Sequence, residues 1–280
     1  MKDLRGKVAL ITGGGSGIGR GAGIALARRG VKVIVADIDE AGASETAEAV
    51  RMAGGEAVAV TIDVGLPSAF DEIHAFAAGA YGAIDIVMNN VGVLVMGLIG
   101  DIPLAEWERV LNLNLMSVIR AQHRFVPEMV ARGSGHIVNT ASFAGLFPYA
   151  YDRLPYAASK GAIVTMTEGL ALYCKPRGVG VTLLCPGPVK TNIGATLKSW
   201  TEGLPLRGPG AEFAMLDPLT VGEMVADAII EDRFFLPTDE LVKPLLRERD
   251  LDRDLFIAKQ IEVSQVSHAL LSRDAENRSS

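Results

Sequence analysis

"TGGGSGIG" occupies Thr12–Gly19, directly after the apolar run "KVALIT" (Lys7–Thr12) and at the head of "GIGRGAGIALARRG" (17–30). A strand that dissolves into glycines and re-forms as a helix is a βα turn, and this one has the makings of a phosphate site. Glycines let the backbone turn tightly and approach a pyrophosphate, while the helix N-terminus offers unpaired N–H groups and the positive end of its dipole. The spacing is T-G-x-x-x-G-x-G, with Gly13, Gly17 and Gly19, and Ser16 and Ile18 stand between them within reach of the same ligand. The next apolar run, "VKVIVA" (Val31–Ala36), ends at Asp37, about 20 residues on. A carboxylate there can accept hydrogen bonds from both adenosine ribose hydroxyls and repels a 2′-phosphate. Gly15, Ser16 and Ile38 supply no cation to hold such a phosphate. These residues predict NAD(H) in preference to NADP(H).

The alternation continues. "EAVAVTI" (Glu56–Ile62), "IDIVMNN" (Ile84–Asn90), "GHIVNTAS" (Gly135–Ser142) and "GVTLLCP" (Gly180–Pro186) read as further buried strands, and "DRFFLPTDE" supplies the last. Between them lie helical segments, among them "LAEWERVLNLNLMSVIRAQHRFVPEMVAR" (104–132) and "YAASKGAIVTMTEGLALYCKPRG" (156–178); glycines close these segments, a common stop signal. Apolar strands alternating with helices predict an α/β fold, a Rossmann-type doubly wound parallel sheet of about seven strands with helices on both faces. No linker or repeat divides the chain, so 1–280 is expected to be a single dinucleotide-binding and catalytic domain. The stretch 187–217 breaks the pattern with many Gly and Pro residues. Its apolar members, including Trp200, Phe213 and Met215, argue for a substrate lid at 190–217. A polar tail from about 272 is expected to fray.

Composition narrows the function. Hydrophobic residues make up 49% of the 280 and charged residues 21%, which suits a globular chain with a large core. The net charge of −6 and the lack of a basic block exclude nucleic acid as an expected partner. The six apolar residues before the glycines are too few for a membrane span or a signal-peptide core. Two cysteines form no disulfide framework, so a cytoplasmic location is expected. Four histidines without ligand spacing predict no metal.

One further pair stands out. In "LPYAASKGAI" (Leu154–Ile163), Tyr156 and Lys160 are four residues apart, one helical turn, on one face. A phenol ordinarily titrates near pH 10, and a neighbouring ammonium favours the phenolate. The pair reads as a device for setting the acidity of a general acid/base.

Taken together, "TGGGSGIG" (12–19), "DV" (63–64), "NNVG" (89–92), Asn114 in "LNLNLMS", Ser142, "YAASK" (156–160) and "PGPVKT" (186–191) resemble the short-chain dehydrogenase/reductase family in its shorter single-domain branch, over roughly Gly6–Thr191. Val91 and Ser117 depart from the family's common Ala and Gly, and the C-terminal part lacks the glycine-rich strand many members use in tetramers. The resemblance implies a nicotinamide cofactor and a catalytic group of Asn114, Ser142, Tyr156 and Lys160. In that group Ser142 holds the substrate oxygen, Lys160 also bonds the nicotinamide ribose, and Asn114 anchors a proton-relaying water. It further implies Asp63 and Val64 against the adenine, Asn90 and Gly92 on the adenosine side, and Pro186, Gly187, Val189 and Thr191 at the nicotinamide end. A homodimer or homotetramer is expected by the same analogy, pairing through 105–132 and 156–176.

The small-molecule substrate is expected to be a hydrophobic secondary alcohol or ketone, cyclic and aromatic ones included. "VLVMGLI" (93–99), "FAGLFPYAY" (143–151) and the lid aromatics surround the presumed pocket. Arg153, Lys190, Lys198 and Arg207 could meet an anionic substituent, but a solvated face is the reading preferred for each. A 3-ketoacyl reductase is the enzymatic alternative, against which Asp37 weighs. A non-catalytic dinucleotide sensor is the alternative of another class, against which the intact Ser142, Tyr156 and Lys160 weigh.

Overall fold

The computed structural model describes residues 1–204 and 206–265, with side chains at all of these except 195 and 196; the tail expected from about 272 lies outside the described residues. Seven strands form one parallel sheet: β1 (Val8–Thr12), β2 (Lys32–Asp37), β3 (Glu56–Thr61), β4 (Ile86–Asn89), β6 (Gly135–Thr140), β7 (Val179–Cys185) and β9 (Phe235–Pro237). Their order is β3-β2-β1-β4-β6-β7-β9. Winding runs outward from β1 to β3, then restarts at β4 and proceeds the other way. The carboxyl ends of β1 and β4 therefore flank a switch point, where an open α/β sheet leaves a crevice.

Helices α1 (Gly17–Ala27), α2 (Glu40–Met52) and α8 (Pro218–Glu231) cover one face. Ala22, Ala25 and Leu26 of α1 and Val221 and Val225 of α8 pack there against Ile11, Val33 and Val35. On the other face α3 (Ala69–Ala80), α5 (Ser117–Arg132) and α7 (Leu154–Cys174) close over Leu10, Ile34, Val87 and Ile137. Successive strand residues alternate between the two cores, which is why these strands read as continuous apolar runs.

The helical segment at 104–132 is not one regular helix. α4 (Leu104–Leu111) joins α5 through a π-helical turn, Asn112–Met116, that admits an extra residue and carries Asn114. Within 187–217 the chain forms a short 3₁₀ turn at Asn192–Thr196 and a two-residue strand, β8 (Lys198–Ser199), paired in parallel with β5 (Val95–Met96). The four-residue helix α6 (Phe143–Leu146) precedes α7, and α9 (Val242–Leu251) is followed by helical residues 253–265. No helix among the described residues is long and apolar enough to cross a membrane.

α1 and α8 touch backbone to backbone. A Cβ on Gly21 would stand 2.2 Å from the Pro218 carbonyl oxygen, and one on Gly222 would stand 2.3 Å from that of Gly21. Gly21→Ala should therefore cost about 1–3 kcal/mol through forced separation of the helices, read as a lowered urea midpoint. Gly79→Ala, where the new methyl meets nothing within 4 Å, should not. Equal midpoints for the two variants would contradict this packing.

Candidate active site

A line of polar contacts crosses the carboxyl ends of three strands. After β1, the Thr12 hydroxyl accepts from the Asn90 amide at 3.1 Å, and the Gly13 carbonyl accepts from Asn90 Nδ2 at 3.2 Å. Asn90 Oδ1 accepts from the Thr140 hydroxyl at the end of β6 at 3.4 Å. The Thr140 carbonyl in turn accepts from Lys160 Nζ on α7 at 2.8 Å. The glycine turn and the buried lysine are thus linked through Asn90.

The glycine turn is built by steric need. Gly13 and Gly17 have φ of +62° and +51°, a region that disfavours side chains. Gly19 is a packing residue: a Cβ there would lie 2.1 Å from the Gly13 carbonyl oxygen. No side chain caps the first turn of α1, and Ser16 at its N-cap makes no such bond. The Asp37 carboxylate, at the end of β2, accepts from the amides of Gly15 at 2.8 Å and Asp39 at 3.0 Å. Those two bonds fix its orientation toward the turn.

A cavity of about 770 Å³ opens over this edge of the sheet. Gly13, Ser16, Gly17, Ile18, Asp37 and Ile38 line one end, with Asp63 and Val64 after β3. Asn90 and Gly92 after β4 follow, then Pro186, Gly187, Val189 and Thr191 after β7. Ser142, Tyr156 and Lys160 line it as well. Of the residues predicted for catalysis or cofactor binding, Gly19 and Asn114 do not.

Ser142 sits two residues beyond β6 as the N-cap of α6, its Oγ accepting from the Ala144 amide at 3.2 Å. Pro155 in the first turn of α7 sets that helix on course and places Tyr156 opposite Ser142, whose hydroxyl bonds the phenol. Asn114 is fully buried. Its Oδ1 accepts from the Val93 amide at 2.8 Å, and its Nδ2 donates to the Val93 carbonyl and to Ser159 Oγ at 3.0 Å. Among the described residues it ties the loop after β4 to α7 one residue from Lys160, a bracing contact.

The electrostatics correct one expectation. Burial pushes the Tyr156 phenol up to about 12, against smaller lowering by the Ser142 hydrogen bond and the Arg153 charge. Burial also pushes Lys160 down to about 8. The lysine Nζ is turned to the Thr140 carbonyl, 5.7 Å from the centre of the phenol ring. The chain by itself thus raises the phenol's pKa, because desolvation of the buried phenol is the largest influence on it, whereas the expected lowering counts on the positive nicotinamide as well as on Lys160.

A second correction concerns the arginines. Lys190 is exposed and Lys198 pairs with Glu106 at 3.2 Å on the surface. Arg153 and Arg207, in contrast, are only 5% and 7% exposed and both line the cavity. Arg153 Nε donates to the buried Asp152 carboxylate at 2.9 Å, and its charge faces the Tyr149 ring. The signal in the sequence was "YDR" (151–153): an acid and a base side by side in an aromatic stretch. Of the aromatics expected around the pocket, Phe213 instead packs on Phe143, ring centres 5.1 Å apart, and Trp200 joins Val95, Ile102 and Val110. Val93, Leu94, Leu197, Leu206 and Met215 form the apolar wall.

Residues 7–202 match the sequence profile of the short chain dehydrogenases. The chain belongs to the short chain dehydrogenase family. Members of this family are oxidoreductases, and the fold agrees: a crystal structure of a short chain dehydrogenase/reductase from Burkholderia phymatum in complex with NAD superposes with a TM-score of 0.80 at 32% identity, covering 91% of this chain and 96% of that one. Cyclohexanol dehydrogenase of Acinetobacter sp. (strain SE19) is 32% identical over 237 residues, 84% of this chain and 92% of its own length. The probable oxidoreductase EphD of Mycobacterium tuberculosis is 37% identical over 187 residues. That match takes in 66% of this chain and spans about a third, 31%, of the length of this curated relative.

The displaced pKa of Lys160 has a consequence for stability. Its ordinary value is 10.5 and its folded value about 8, so between these the unfolded chain holds a proton that the folded chain has released. The cost of burying the charge is present in full below pH 8 and fades above it. Native stability should rise between pH 8 and 10, by up to about 1.4 kcal/mol per unit, relative to Lys160→Met. Urea titrations of both proteins across this range check it, and parallel curves would refute it.

Proposed function

We propose that this chain is an NAD(H)-dependent oxidoreductase that interconverts an apolar secondary alcohol and its ketone. The observation that carries the proposal is that one cavity holds the glycine turn and Asp37 at one end and the Ser142–Tyr156 pair with Lys160 at the other. The residues fit a dinucleotide: Gly13 and Gly17 leave a backbone cradle at an uncapped helix N-terminus. Asp37 accepts from ribose hydroxyls and rejects a 2′-phosphate, and no cation among the described residues forms an ion pair with it; Arg20, bonded to the Gly15 carbonyl, pairs with Glu45. Asp63 and Val64 would hold the adenine, Asn90 and Gly92 the adenosine side, and Pro186, Gly187, Val189 and Thr191 the nicotinamide end. When bound, the nicotinamide supplies hydride acceptance from, or donation to, the substrate carbon. The NAD carried by the Burkholderia relative supports this choice.

The chain's own residues manage the proton. Ser142 Oγ holds the substrate oxygen and stabilises charge on it. Tyr156 takes the hydroxyl proton during oxidation and returns it during reduction. A phenol near 12 is a poor base at neutral pH, so the working state needs positive charge beyond what the chain places there, together with Lys160 swung or shared toward the ribose. Asn114 acts as a positioning residue through Val93 and Ser159. Residues 190–217 serve as the substrate lid of a single catalytic unit, with β8 as its anchor. The name of the Acinetobacter relative supports a cyclic alcohol, and the apolar wall of the cavity agrees with it. Exposed Leu172 and Tyr173 on α7 support pairing of two copies through α5 and α7.

An absorbance screen at 340 nm with alicyclic and aromatic alcohols and ketones tests the reading. NAD should support turnover and NADP should not, with the preference narrowed or reversed in Asp37→Ser. Tyr156→Phe should lose about 100-fold or more in kcat while NADH fluorescence still reports binding. Undiminished turnover in Tyr156→Phe would rule out the assigned proton path.

A further inference from the structure

The substrate end of the cavity holds more positive charge than an uncharged alcohol requires. Arg153 and Arg207 come from different parts of the chain, one just ahead of α7 and the other in the irregular segment before α8. Both are more than nine-tenths buried and both line the same cavity. Asp152 engages only the Nε of Arg153, and Arg153 Nη2 is buried without a hydrogen-bond partner. Arg207 faces Tyr151, with its Nη2 3.4 Å from the phenol oxygen, and its Nη1 bonds Ser264. No carboxylate among the described residues pairs with it, and its Nε is also buried without a partner. Guanidinium N–H groups are obligate donors that cannot lose their charge, so an orphaned one marks a place where an acceptor belongs. The carboxylates that line the cavity, Asp37 and Asp63, stand at the opposite, dinucleotide end.

We propose that the alcohol oxidised here carries a carboxylate, which sits between Arg153 and Arg207 while its hydroxyl faces Ser142 and Tyr156. The substrate class is then a hydroxy acid with an apolar carbon frame, and the product is the corresponding oxo acid. The inference rests on the oxidoreductase reading above and adds the anion to it. Two orphaned N–H groups from two guanidiniums match the two oxygens of one carboxylate, the acceptor that arginine is shaped to hold. Both nitrogens are buried without a partner, on side chains that line the cavity. The apolar wall of Val93, Leu94 and Met215 receives the carbon frame between the two polar ends.

The test compares substrates that share one skeleton: 3-hydroxycyclohexane carboxylate, its methyl ester, and the phosphonate analogue, each with NAD. In the wild type the acid should exceed the ester in kcat/KM by about 100-fold, chiefly through KM, since a site built for a polar group penalises its absence. In Arg207→Gln that ratio should collapse toward one, and Arg207→Lys should restore part of it. Arg153→Gln should do the same, but Asp152 would be left unpaired, so the Arg207 series carries the test. A phosphonate that outcompetes the carboxylate would overturn the carboxylate assignment. Equal turnover of acid and ester in the wild type would overturn the anion site and leave the dehydrogenase reading standing. No turnover of these or of any alcohol in the screen, despite NADH binding, would remove both.

Discussion

Asn90 is the joint on which this site depends. It stands where the sheet changes its direction of winding, and it bonds both sides of that break: Thr12 and Gly13 after β1, and Thr140 after β6. The parallel order brings the ends of β1, β4 and β6 side by side. Asn90 turns that adjacency into a fixed spacing between the glycine turn and Lys160, which hangs from the Thr140 carbonyl. Every other feature of the cavity is arranged around this line. Asp37 closes the turn from β2, Ser142 leaves β6 two residues after Thr140, and α7 delivers Tyr156 and Lys160 from the same edge.

The cost of the arrangement is electrostatic. A phenol and an ammonium have been taken out of water together, and each is pushed toward its neutral form. The same low-polarity setting strengthens any charge interaction made inside it. A charge brought into such a site therefore shifts the protonation of both groups more than it would in water.

What the sequence disclosed and what it concealed divide along a physical line. The glycine turn, Asp37, and the Tyr156–Lys160 pair were legible because each is a local requirement: a positive φ, a strand end, one helical turn. Seven apolar runs gave the sheet for the same reason, each strand lying between two cores. The π-helical turn at Asn112–Met116 was hidden, because a single extra residue leaves the apolar rhythm of 104–132 intact. β8 was hidden because Lys198 and Ser199 show no strand pattern and are held by their partner strand alone. Arg153 and Arg207 were read first as solvated because burial of a cation is decided by what folds over it, and Arg207 meets Tyr151 and Ser264, 56 and 57 positions away. The acidity of Tyr156 was read from one neighbour, where the surrounding desolvation proved the larger influence.

The two-residue ribbon of β5 and β8 divides the segment that roofs the cavity. It pins the middle of 190–217 to the loop that follows Asn90, with the Trp200 amide bonded to the Met96 carbonyl just beyond it. The roof therefore consists of two flaps with a shared rivet. One flap carries Thr191 beside Gly17 of the glycine turn, and the other carries Arg207 and Met215 into the same cavity.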